Sequence, residues 1–192
     1  MYVVSEQDFK FGRLEGNSRE IPHVYPDSWA KERTGDQDRL VITQAVHQVN
    51  LVRDLSQIMD EPFGILYVLV VPRGEHEAGR YQSPNPVSRQ DLLSFLNRFE
   101  HFLESDGRHN LWVASIGEPD LLVYDRHNLI YSYGRLEHFK KILETKGIAE
   151  TPQVKIPSPH VHYYHEEFDE NESQLLKYWD WKRSPLRNQD TQ

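Results

Sequence analysis

The chain has 192 residues, a net charge of −8, ten histidines and no cysteine, with 38% hydrophobic and 11% aromatic residues. That length and apolar content suit a single domain over residues 1–192 with its own core, and they exclude wholesale disorder. The acidity is spread evenly and argues against a nucleic-acid binder, which needs clustered Lys and Arg against phosphates. The lack of cysteine removes disulfides, thiolate metal sites and a cysteine nucleophile.

The opening stretch from Met1 to Gly16 lacks the basic start, apolar run and small-residue cleavage site of a secretory signal. The longest apolar run, Phe63 to Val71, is too short to span a bilayer, so the expectation is a cytoplasmic protein that does not enter membranes.

Residues 1–38 mix Gly, Pro, charges and scattered aromatics without a period, which predicts an irregular N-terminal wrap with a short strand at Tyr2 to Val4. From Arg39 to Met59, Val46, Val49, Val52, Leu55, Ile58 and Met59 recur at helical steps, with Asp38 as the expected N-cap. Phe63 to Val71 reads as a strand buried on both faces and as the centre of the sheet. The long polar stretch from Pro72 to Pro86 reads as a lid or contact loop.

Ser88 with Asp91 resembles a capping box opening a helix whose apolar side is Leu92, Phe95, Leu96, Phe99, Phe102 and Leu103, with Gly107 as its stop. Asn110 to Gly117 is β-rich, and two further β-rich runs flank Asp125 to Asn128, which predicts a hairpin with Asn128 in the left-handed region. A third helix is expected over Leu136 to Thr145, stopped at Gly147. Val154 to Ile156 and Val161 to Tyr164 are possible strand pieces interrupted by prolines, and a fourth helix starts near Asp169 and docks through Leu175, Leu176 and Trp179. Residues 183–192 read as a polar tail. The pattern predicts an α+β fold with a mainly antiparallel or mixed sheet of about five strands packed with about four helices.

Two features carry chemistry. His160 and His162 alternate on a strand and so share one face, where they can offer imidazole nitrogens to a divalent metal such as zinc. His165, Glu166 or Asp169 would supply a third ligand, and Glu166 would act as base in a metal-dependent hydrolase. Against this stands a reading with no cofactor, in which the histidines are ordinary surface or hydrogen-bonded residues. The second feature is the run Glu166, Glu167, Asp169, Glu170 and Glu172 beside Tyr163 and Tyr164, a negative face suited to a basic protein partner. Arg73, Glu75, His76, Glu77 and Arg80 in the Pro72 to Pro86 loop would add contacts.

Asp125, Arg126 and His127 at the hairpin tip read as turn formers rather than catalysts. Phosphate-cradling, dinucleotide, zincin, nucleophile-elbow and EF-hand motifs are all missing. The first expectation is therefore an acidic, inhibitor-like (immunity-type) binding protein of bacterial style without catalysis. The metal-dependent hydrolase is the alternative, and a purely structural domain is the third.

Overall fold

The computed structural model describes residues 9–16 and 18–190. In chain order its strands are β1 (Phe11–Glu15), β2 (Arg19–Pro22), β3 (Ser28–Thr34), β4 (Gln37–Thr43), β5 (Phe63–Leu69), β6 (Gly79–Gln82), β7 (His109–Ser115), β8 (Leu121–Tyr124), β9 (Leu129–Tyr133), β10 (Ala149–Glu150), β11 (His160–His162) and β12 (Lys182–Ser184). The helices are α1 (Gln48–Ser56), α2 (Arg89–Ser105), α3 (Leu136–Thr145) and α4 (Asp169–Leu176). Nine strands form one sheet in the order β10-β3-β4-β9-β8-β7-β5-β6-β12, antiparallel except where β10 joins β3. A second, antiparallel sheet has the order β11-β1-β2.

Alternation along the strands decides what covers each face of the large sheet. Leu40, Ile42 and Ile130 point to the side where Val49, Leu96, Phe99, Phe139 and Leu175 bring in the four helices. Their neighbours Val41 and Leu129 point the other way and pack with Phe11 of β1 and with Tyr25. The small sheet thus lies over the face opposite the helices, and this placement brings β11 to the tip of the β8–β9 hairpin.

The α+β class and the four helices agree with the sequence, but the expected count of about five strands is too low: the described residues hold twelve strands in two sheets. Much of the difference lies in residues 1–38, expected as an irregular wrap, where β1, β2 and β3 form and β4 begins. Their exposed positions carry cross-strand charges, Lys31 with Asp38 and Arg39 with Glu32, so no apolar alternation marks them. The strand expected at Tyr2 to Val4 lies outside the described residues. The helix expected over Arg39 to Met59 is shorter, because Leu40 to Ile42 are claimed by β4 and α1 begins only after His47, which is its N-cap instead of Asp38. β5 lies inside the sheet, between β7 and β6, rather than at its middle. The Pro72 to Pro86 loop is interrupted by β6, and Val154 to Ile156 form no strand.

Three local readings hold. Ser88 Oγ accepts from the Asp91 N–H at 3.1 Å while donating to the Asp91 carboxylate at 2.7 Å. Asn128 takes φ 62° in the hairpin, and Gly147 takes φ 72° after α3. Gly107, by contrast, does not end α2 through a left-handed cap. It is glycine because a Cβ there would lie 2.4 Å from the Lys10 carbonyl oxygen, where β1 crosses the helix end. Within residues 183–190 of the expected tail, Asp190 is buried in an ion pair with Arg80 at 2.5 Å and β12 pairs with β6.

Candidate metal centre

The register of β11 on β1 sets Phe11 opposite His162 and Arg13 opposite His160. His160 and His162 therefore share the face that carries Phe11, as the two-residue period requires. A third imidazole arrives from the large sheet. The carboxylate of Asp125 turns back into the hairpin tip, where one oxygen accepts from the N–H groups of His127 and Leu129 at 2.8 and 2.9 Å. Its other oxygen accepts from Nδ1 of His127 at 2.9 Å and from the Tyr131 hydroxyl at 3.5 Å.

His127, His160 and His162 close into one cluster, with a ring nitrogen of each within 4.8 Å of those of the others. The Phe11 ring supports all three, its centroid 5.3, 5.4 and 5.5 Å from theirs. His127 is buried, His162 half-buried and His160 exposed, so the cluster opens to solvent on the His160 side.

Hydrogen bonding fixes the protons. A carboxylate can only accept, so His127 carries a proton on Nδ1 and its neutral tautomer has the lone pair on Nε2, the carboxylate–histidine arrangement that orients metal ligands. His160 donates Nδ1–H to the carbonyl of Pro157 at 3.0 Å, which again leaves Nε2. His162 differs, because Nε of Arg126 donates into its Nε2 at 2.9 Å and its Nδ1 is buried without a partner. Burial foremost, then the positive Arg126, pushes His162 down to about 2, so this ring is neutral at any ordinary pH.

Three imidazoles are a donor set for Zn²⁺, Ni²⁺ or Cu²⁺. Tetrahedral zinc with bonds of about 2.0–2.1 Å needs nitrogens about 3.4 Å apart, and the ring nitrogens of the cluster lie within 4.8 Å of one another. One bond must change: the His162 Nε2 lone pair cannot serve Arg126 and a metal together. If the metal instead takes Nδ1, the ring proton moves to Nε2, which again stops accepting from Arg126. Three protein ligands would leave a fourth position open.

The other residues singled out from the sequence are placed as follows. His165 does not join the cluster; its Nε2 bonds the Phe9 carbonyl at 2.9 Å and its N–H the Asp106 carboxylate. Glu166 is exposed in a single turn of 3-10 helix and belongs to none of the ligand clusters among the described residues. Asp169 and Glu172 serve the fold, because both bind the fully buried Arg108, at 2.9 and 2.8 Å, which is also held by Asp106. Glu167 and Glu170 stay exposed. Tyr164 accepts from Arg126 at 3.3 Å, and Tyr163 lies against Gly12. Of the loop residues, Arg73 pairs with Asp169, His76 bonds Ser173, Glu75 is exposed, and Arg80 is buried.

His127 is the member of the cluster that sequence reading missed. Its one local signal is the Asp125-Arg126-His127 order, in which the turn-forming carboxylate also reaches the imidazole two residues on. No protein-family model, curated protein or solved structure matches the chain.

Proposed function

We propose that this chain is a metal-dependent hydrolase built on His127, His160 and His162. The observation that carries the reading is their convergence from two separate sheets, with Asp125 and the Pro157 carbonyl holding two of them with Nε2 free to bind. When bound, a divalent metal supplies Lewis acidity and lowers the pKa of water at the open position. The protein's part is to hold His162 neutral, to wall the centre with Phe11 on one side and to leave it open at His160. Arg126, released from His162, would stand beside the centre as a guanidinium and would favour an ester with an anionic group.

The acidic-face reading has less support, because Asp169 and Glu172 are engaged by Arg108. The test begins with protein purified without a metal-affinity column. We expect about one Zn²⁺, Ni²⁺ or Cu²⁺ per chain, metal-dependent hydrolysis of an activated phosphate or carboxylate ester, and loss of both in His127→Ala and in His160→Ala. Bound metal without hydrolysis would reduce the site to a clip between the two sheets, and no bound metal would end the proposal.

A further inference from the structure

Arg126 turns toward the histidine cluster the edge of its guanidinium that grips oxyanions. Its Nε donates to His162 Nε2 at 2.9 Å and its Nη2 to the Tyr164 hydroxyl at 3.3 Å. Those two nitrogens form the fork by which arginine holds two oxygens at once. Arg108 shows that grip elsewhere in the chain, where Nε and Nη2 take the two oxygens of Asp106 at 2.8 and 2.9 Å. In Arg126 the same edge meets an imidazole nitrogen and a phenol oxygen, and no carboxylate among the described residues pairs with it. The carboxylate of its neighbour Asp125 is taken up by His127, Leu129 and Tyr131.

The backbone fixes where the fork sits. The Arg126 N–H donates to Asn110 Oδ1 at 2.9 Å, which pins the residue at the hairpin tip beside His127, and the residue is only partly exposed. A partly buried cation gains more from an anion than one in open water does. A metal on either ring nitrogen of His162 takes away the acceptor of the Arg126 Nε–H, so loading the ion releases the fork beside it.

The number of oxygens selects the anion. A carboxylate spends both of its oxygens on such a fork, as Asp106 does on Arg108. A phosphoryl group spends two and keeps a third non-bridging oxygen for the ion. On the metal reading of the histidine cluster, on which this inference rests, we propose that the substrate is a phosphate monoester whose phosphoryl group bridges the metal and the Nε and Nη2 edge of Arg126. Metal and phosphoryl group then bind cooperatively, because the ion breaks the bond between Arg126 and His162 and the anion gives Nε–H a new acceptor. Each raises the affinity of the other by the same factor.

The test measures the zinc affinity of the full chain at pH 8 by competition with a chromophoric chelator, alone and with an excess of phenylphosphonate, a phosphate-monoester analogue, or of benzoate. Phenylphosphonate should raise zinc affinity at least about fivefold, the lower end of the range for coupled sites, and benzoate less than about twofold. Arg126→Met should still bind zinc but lose the phenylphosphonate gain. Arg126→Lys keeps the charge without the fork and should lose most of the gain, which remains informative if Arg126→Met fails to fold. A smaller gain in the native chain, an equal gain with benzoate, or a gain that survives in Arg126→Met would each overturn the proposal while leaving the metal centre standing. No zinc binding by the native chain would overturn both.

Discussion

The contact between Arg126 and His162 sets a sharp expectation for metal affinity. Arg126→Met keeps the apolar stem and the backbone N–H that bonds Asn110 at 2.9 Å, but removes the donor that occupies His162 Nε2. A hydrogen bond to a charged group is worth about 1.5–3 kcal/mol. Arg126 is partly solvated, which lowers the estimate to roughly 1–2 kcal/mol. In the native chain a metal must break that bond before it takes the ring, and in the variant it need not. The variant should therefore bind Zn²⁺ roughly 5- to 30-fold more tightly. Competition against a chromophoric chelator at fixed pH and ionic strength measures this directly. Unchanged or weaker affinity in a folded variant would refute the argument that Arg126 and the metal share one lone pair.

Three further predictions concern the scaffold. Arg108→Met strands the buried Asp106 and Glu172 and should cost about 3–5 kcal/mol in urea unfolding, whereas Asp169→Asn, at a position about one-third exposed, should cost far less; equal losses would contradict the burial argument. Burial foremost lowers the Lys10 ammonium to about 7, so between about pH 7 and 10 the unfolded chain holds a proton that the native state lacks. Native stability should then rise with pH across that window relative to Lys10→Met, by up to about 1.4 kcal/mol per pH unit, and parallel unfolding free energies at pH 7, 8 and 9 would contradict this. Gly107→Ala sets a methyl against the Lys10 carbonyl and should destabilise by at least about 1–3 kcal/mol, read as a lower thermal midpoint; an unchanged midpoint would show that β1 can move.

Legibility in the sequence followed the range of the interaction. The Ser88 cap, the Asn128 turn and the apolar stripe of α2 are set by residues within a few positions of one another, and each is visible without the fold. The alternation that puts His160 and His162 on one face is equally local. The strands of the N-terminal segment were not legible, because their exposed faces carry charge pairs such as Arg39 with Glu32 whose partners meet only after the hairpin forms.

The candidate site divides the same way. By itself the sequence determined the pair of strand histidines and the turn at Asp125. Tertiary structure alone decided that His127, more than thirty residues before His160, joins the histidine cluster and that His165 does not. It also decided that Asp169 and Glu172 pair with the buried Arg108. The physical reason is that the side on which Val41 and Leu129 leave the large sheet dictates where Phe11 and the small sheet settle, and that docking carries the two strand histidines to the hairpin tip.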